Sequence, residues 1–156
     1  PERSLVTRGV WWTLTPAALA DRGIDEAAVP GALHAAEHAA IGLLPLVATS
    51  ERWDVGGVST DRHPDTGLPT VLVYDGHPGG AGFAEQGHAR FGDWIAATHA
   101  AVSECRCVAG CPACVQSPKC GNGNAPLDKA AAISALAAVL DLLGRPVSPR
   151  SGPEPH

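Results

Sequence analysis

Four cysteines fall within ten residues in the spacing C-x-C-x3-C-x2-C: Cys105, Cys107, Cys111 and Cys114. The short segment between the two pairs allows four thiolates to turn toward one point, as tetrahedral zinc requires with Zn–S bonds of about 2.3 Å. The spacing therefore predicts a structural zinc ion with these four residues as ligands. A fifth thiol, Cys120, competes for a place, and its replacing Cys105 is the alternative ligand set.

Disulfides and redox chemistry fit this spacing less well. Closely spaced thiols are awkward to pair, one thiol would be left over, and no secretory signal precedes them. A redox Cys-x-x-Cys normally stands alone after a strand. Because four thiolates leave zinc no open position, we expect the metal to be structural and not catalytic. Reduced thiols also predict a cytoplasmic protein.

The composition fits one globular domain. Of the 156 residues, 45% are hydrophobic and 17% are charged, which excludes an acidic disordered chain. The formal net charge is −5 with only two lysines, which argues against a domain whose main task is to coat nucleic acid. No apolar run approaches the roughly 18 to 20 residues that span a membrane. The chain begins at Pro1 and has no methionine, so we interpret it as a piece of a longer polypeptide.

The order of predicted elements indicates an α+β fold: a small sheet or hairpin packed with three or four helices, and the zinc site between the last two helices. Residues 1–143 are predicted to form the domain, and 144–156 a flexible tail rich in proline and serine. Periodicity and turn residues place the elements. Strands are predicted over 5–14, 55–60 and 70–75, helices over 31–47, 84–104 and 128–143, and a weaker helical stretch over 16–28. Pro30 marks the first turn of the first long helix, and a break is expected near Gly87 in the second. The buried stripes are predicted to be Leu33, Ala36, Ala40 and Leu44 in the first long helix, and Ile133, Leu136, Leu140 and Leu143 in the last.

A second group of metal-binding side chains is His34-Ala35-Ala36-Glu37-His38, on the first long predicted helix. The two imidazoles lie one helical turn apart, and the pattern matches the H-x-x-E-H signature of some zinc peptidases. Such a site needs a distant third ligand, for which Glu85 or Glu104 is available. The alternative, which we favour, is a polar helix face whose imidazoles hydrogen-bond a neighbouring strand and which docks onto a partner domain.

The glycine-rich segment 76–82 joins a predicted strand to a predicted helix, a geometry that can present backbone N–H groups to an anion. It lacks both the Gly-Lys-[Ser/Thr] of a P-loop and the G-x-G-x-x-G of a dinucleotide fold. No nucleotide site is therefore expected in this chain. A contact to a single nucleic-acid phosphate remains an alternative to the preferred role, tight turns and close helix–strand packing.

Several strings occur together in order: 33–39 (LHAAEHA), 52–57 (RWDVGG), 74–82 (YDGHPGGAG), the cysteine string 105–114, 120–124 (CGNGN) and PLxK at 126–129. Together they resemble the zinc-binding C-terminal domain of DEAD/DEAH-box superfamily 2 DNA helicases of the MrfA and Hrq type. The resemblance covers about residues 5–143, and its most specific part is the cysteine string. It implies that the compact cysteines carry the zinc, with Cys120 leaving the assignment open.

That resemblance implies an accessory domain in a 3′-to-5′ DNA helicase that takes part in DNA repair. ATP and Mg²⁺ would be used only by RecA-like motor domains of the same polypeptide, since this chain has no Walker A motif or DEAH box. The implied partners are that motor and DNA, with a repair nuclease as a further suggestion, in a nucleoid-associated setting.

Two rival functions are a small zinc peptidase using His34, Glu37 and His38, and a zinc-stabilised protein-interaction module.

Overall fold

Residues 4–145 and 147, the part of the chain described by this computed structural model, contain a three-stranded antiparallel sheet and five α-helices. The α+β prediction is confirmed. The strands are β1 (Gly9–Thr13), β2 (Val55–Thr60) and β3 (Thr70–Asp75). The helices are α1 (Pro16–Asp21), α2 (Val29–Leu43), α3 (Phe83–Ala89), α4 (Phe91–Glu104) and α5 (Lys129–Leu142). None of these helices has the length and apolar character needed to cross a membrane.

The sheet has the order β1-β3-β2, with β3 in the centre. Strands β2 and β3 form the predicted hairpin, and both begin and end at the predicted residues. Neighbouring side chains on β1 point to opposite faces, because the side-chain period of a strand is two. Trp12 is accordingly buried, with its ring 5.6 Å from Phe91 and 5.9 Å from Trp94, whereas Trp11 is 61% exposed.

Helix α2 occupies the middle of the fold, where it contacts the sheet, α4 and α5. Pro30 lies in its first turn, as predicted, and the helix gives way to a 3-10 turn at Leu44–Leu46, where Pro45 cannot continue α-helical hydrogen bonding. The predicted apolar stripe is buried. Alanines fill much of both facing surfaces of α2 and α5, and small side chains allow two helix backbones to approach closely.

The helix predicted over 84–104 is two helices, α3 and α4, that meet at Arg90. The break was expected near Gly87, which instead lies buried within α3. A Cβ at Gly87 would sit 3.0 Å from Leu44 and 3.1 Å from the Trp94 ring, so the glycine is explained by close packing. The last predicted stripe also ends early: Leu136 and Leu140 are buried, but Leu143 is 44% exposed.

The predicted tail, 144–156, falls largely outside the described residues, which end with 144, 145 and 147. Gly144, which follows the C-cap residue Leu143 of α5, takes a positive φ of 73°, a common way to end a helix. The boundary between domain and tail stays a prediction.

Candidate metal centre and its surroundings

The four clustered cysteines lie between the end of α4 and the start of α5, as the sequence predicts. Their sulfur atoms form a closed set. The Sγ–Sγ distances are 3.6 Å (Cys105–Cys107), 3.5 Å (Cys105–Cys111), 3.5 Å (Cys107–Cys114) and 3.8 Å (Cys111–Cys114). A zinc tetrahedron with bonds of about 2.3 Å has edges of about 3.8 Å, so the four donors fit a zinc ion in both size and type.

Local backbone geometry brings the second pair of cysteines into place. The Cys114 N–H donates to the Cys111 carbonyl at 3.0 Å, closing a turn. Gly110, just before it, has a φ of 122°, and a Cβ there would lie 2.6 Å from the Val115 side chain. Cys114 and Val115 are themselves buried in the core. Only glycine therefore allows the chain to pass this close to the anchor of the cluster.

Lys129, the first residue of α5, completes the cysteine centre in a way that the sequence reasoning missed. Its buried ammonium donates to the carbonyls of Cys105 (2.8 Å) and Cys107 (2.6 Å) and to the Cys107 sulfur (3.2 Å). A zinc ion with four thiolates carries a net charge of −2, which this ammonium partly offsets. A lysine in the first turn of a helix is unfavourable, because its charge opposes the helix dipole. Its presence there was the sequence signal that this lysine makes a specific contact.

The lysine contact also acts on the ionisation of the thiols. Desolvation opposes ionisation of Cys107, but hydrogen bonds from Cys114 and Lys129 outweigh it and lower the pKa of Cys107 to about 6. For Lys129 desolvation likewise favours the neutral form, and the hydrogen bond to Cys107 overcomes it and raises the lysine pKa. Desolvation, together with hydrogen bonds to the other thiols, raises the pKa of Cys114 to about 12. Of these two thiols Cys107 therefore ionises first, and thiolate is the form of cysteine that binds metal.

His34, His38 and Cys120 form a second cluster, on the side of α2 that faces the segment after the cysteines. Their donor atoms all lie within 4.8 Å of one another, and the Cys120 sulfur is 3.4 Å from His34 Nε2. Cys120 thus sits in a different cluster from the other four thiols. The third group beside the imidazoles is this thiol and not Glu85 or Glu104.

The prediction that these imidazoles hydrogen-bond a neighbouring strand is wrong. His34, Glu37 and His38 are all buried, and the imidazoles bond loop carbonyls instead of a neighbouring strand. His34 Nδ1 is 2.7 Å from the carbonyl of Pro126, and His38 Nδ1 is 2.8 Å from that of Val115. The face therefore packs against the segment that follows the cysteines within this domain.

Glu37 lies beside these imidazoles, with its Oε2 3.6 Å from His38 Nε2. Desolvation raises the pKa of Glu37 to about 7, and desolvation also lowers the pKa of His38. The carboxyl packs over Gly57 of β2, where a Cβ would approach its atoms to 2.8–2.9 Å. All three side chains border a groove of about 580 Å³ between α2, β2 and the 117–122 segment.

The glycine-rich segment 76–82 is used internally. The buried carboxylate of Asp75 accepts N–H groups from Ala81 (2.7 Å), Gly82 (3.0 Å) and Ala84 (2.8 Å). These amides are the ones that would otherwise face an anion at the start of α3. The glycines supply the positive φ angles of this tight turn, 88° at Gly80 and 87° at Gly82, which supports the packing role over a phosphate contact.

Known proteins are similar to this chain in fold or in sequence. The crystal structure of the DUF1998 helicase MrfA bound to DNA matches 89% of this chain and 18% of its own length, with a TM-score of 0.65 and 27% identity. The uncharacterized ATP-dependent helicase YprA of Bacillus subtilis (strain 168) is 34% identical over 115 residues, which are 74% of this chain and 15% of that protein. The chain therefore spans only a small part of these helicases.

A third relative is much shorter. The uncharacterized protein MJ1572.1 of Methanocaldococcus jannaschii is 32% identical over 111 residues, which cover 69% of this chain and 99% of that protein. The family model of the MrfA Zn-binding domain matches residues 36–115, a stretch that includes all four clustered cysteines. Sequence, fold and sulfur geometry agree: the chain belongs to the MrfA Zn-binding domain family, and its metal is a structural zinc ion.

Proposed function

We propose that this chain is a non-catalytic accessory domain of an ATP-dependent DNA helicase, with zinc bound by Cys105, Cys107, Cys111 and Cys114. The sulfur geometry supports that ligand set over one in which Cys120 replaces Cys105, because Cys120 lies beside His34. Zinc would lock the end of α4 to the start of α5. Structural zinc sites contribute about 10–16 kcal/mol, comparable to the stability of a whole domain.

The observation that carries the helicase proposal is the structural match to the helicase MrfA in its DNA-bound form, together with the sequence similarity to the ATP-dependent helicase YprA. The motor would consist of RecA-like domains of the same polypeptide, which hold ATP and Mg²⁺. By the family resemblance, the complete protein is a 3′-to-5′ DNA helicase that acts in DNA repair. It would be associated with the nucleoid. A repair nuclease is the further partner that this setting suggests.

The outer face of the sheet supports packing against such a motor. Leu5, Trp11 and Val58 are 44%, 61% and 42% exposed, and Leu72 on β3 lies between Trp11 and Val58. An apolar groove of about 600 Å³ runs along this face. Large exposed apolar side chains grouped on one surface are typical of an interface between proteins or domains. The formal charge of −5 also fits a domain that contacts protein more than DNA.

The test compares the complete polypeptide that carries this domain with a version lacking residues 1–143. ATP hydrolysis, affinity for a tailed duplex and strand separation are measured side by side. We expect deletion to lower duplex affinity or unwinding, while the isolated domain hydrolyses no ATP. A complete polypeptide without a P-loop and a DExH motif would contradict the proposal directly.

A second candidate is a protein-interaction module without a role on DNA. It is favoured by MJ1572.1, because the matched region makes up nearly all of that protein. The same deletion separates the two candidates. If unwinding and duplex affinity are unchanged without the domain, but a protein partner is lost from the complex, the interaction module is correct.

A further inference from the structure

The cluster of His34, His38 and Cys120 has the donor types and spacing of a metal site. In a zinc tetrahedron, bonds of about 2.3 Å to sulfur and about 2.0–2.1 Å to nitrogen place these donors about 3.6 Å apart. The Cys120 sulfur and His34 Nε2 are 3.4 Å apart, and the three donors span at most 4.8 Å. The His34 and His38 rings lie with their centroids 4.2 Å apart. A small movement of the three side chains toward one another would bring their donor atoms to the spacing that zinc requires.

Hydrogen bonds assign the ring nitrogens that face this point. A backbone carbonyl can only accept a hydrogen bond, so Nδ1 of each imidazole carries a proton toward Pro126 or Val115. In the neutral ring the lone pair then belongs to Nε2. Histidines that bind metals almost always donate their other N–H to such an acceptor, which fixes the tautomer and the ring orientation. Both imidazoles of α2 therefore make the Nδ1–H hydrogen bond that is typical of a metal-binding histidine, with Nε2 as the atom that would bind the metal.

The segment that carries Cys120 is held in place by contacts of its own. Asn124 closes it, accepting the Ser117 N–H at 2.6 Å and donating to the Ser117 carbonyl at 3.0 Å. Lys119 ties it to β2, with its ammonium 3.0 Å from the Val55 carbonyl. The thiol is therefore presented to α2 by a braced loop. Such rigid support lowers the cost of gathering ligands around a metal.

We propose that His34, His38 and Cys120 form a second zinc site, distinct from the four-cysteine centre. Two imidazoles and one thiolate suit zinc among the divalent metals. Three protein ligands leave a fourth position, and it opens to the groove of about 580 Å³ that these residues border. Water or a small donor group from the groove would complete the tetrahedron.

The two sites would act on one segment of the chain. Val115 follows the last clustered cysteine, and its carbonyl accepts the bond from His38. The second zinc would therefore join α2 to the segment that the first zinc joins to α4 and α5. His34 and Cys120 lie outside residues 36–115, the range that the family model matches, so this site is not part of that assignment. It does not depend on the helicase proposal.

The test is zinc stoichiometry of the whole chain, measured by elemental analysis after saturation and desalting. We expect two zinc ions per chain in the natural protein and in His88→Gln, a control that changes an exposed histidine of α3 outside both clusters. Cys120→Ser and His34→Gln should each retain one. Their affinity for the second equivalent should fall at least about tenfold by chelator competition. Circular dichroism checks that each variant is folded.

Cobalt adds a second measurement. Replacing zinc by Co²⁺ gives a thiolate charge-transfer band, and Cys120→Ser should remove only the part contributed by the second equivalent. A natural protein that saturates with one zinc overturns the proposal. So does equal retention of the second zinc in both variants. Loss of all zinc from Cys120→Ser also overturns it, because Cys120 would then belong to the four-cysteine centre.

Discussion

Replacing the buried carboxylate of Asp75 tests how the glycine-rich segment is held. Its Oδ2 accepts the N–H groups of Ala81 and Gly82, and its Oδ1 accepts that of Ala84, at 2.7–3.0 Å. Asp75→Asn preserves the shape but replaces one acceptor by an NH₂ donor. At least one of the three backbone N–H groups then faces a donor inside the protein.

The magnitude follows from those contacts. A hydrogen bond to a charged group contributes about 1.5–3 kcal/mol, and a buried donor without a partner costs about 1–3 kcal/mol. Since one side of the amide still accepts, we expect Asp75→Asn to lower the free energy of unfolding by about 2–4 kcal/mol. For a domain near this size, that corresponds to a melting temperature lower by about 6–12 °C.

Thermal unfolding followed by circular dichroism, with zinc in slight excess, measures this loss. Asp65→Asn is the matched control, because Asp65 is exposed in the loop between β2 and β3 and should change stability by less than about 0.5 kcal/mol. Zinc content should be equal in all three proteins. If Asp75→Asn is as stable as the control, the amides are not held by this carboxylate, and an external anion would again be a candidate occupant.

Three further predictions concern the metal centre, the groove and the sheet face. Cys114→Ser should lose the structural zinc and at least about 3 kcal/mol of stability, seen as rapid limited proteolysis. Gly57→Ala should cost about 1–3 kcal/mol in chemical denaturation, because its Cβ meets Glu37, whereas Gly121→Ala meets no atom within 4 Å and should be neutral. Trp11→Ser should leave unfolding within about 0.5 kcal/mol but weaken association with the motor domains in pull-down; unchanged association would remove the outer sheet face as the contact.

Local patterns predicted the elements and the composition of the cysteine cluster. Strands β2 and β3 were placed correctly because β-branched residues lie between clear turn residues, and α2 because Pro30 and an apolar stripe mark its start and face. The break between α3 and α4 was misplaced. A helical glycine signals flexibility in a sequence, but Gly87 is required by its packing against Trp94 and Leu44.

Local sequence patterns could not predict contacts between distant parts of the chain. Nothing near Lys129 in sequence shows that it reaches back to Cys105 and Cys107, which precede it by more than twenty residues. The sequence pattern indicates Cys120 only as a fifth thiol for the first centre. Its position beside His34, which is 86 residues away in sequence, depends on how the loop after the cysteines folds over α2.

The ligand shell of the structural zinc tests the central claim most directly. X-ray absorption at the zinc edge is measured on the Cys120→Ser protein, loaded with one equivalent of zinc, so that only the four-cysteine centre contributes. Four sulfur neighbours at about 2.3 Å are predicted, from Cys105, Cys107, Cys111 and Cys114. Three sulfurs with one oxygen or nitrogen would contradict this ligand set, and sulfur atoms bonded to each other at about 2.05 Å would contradict a zinc centre altogether.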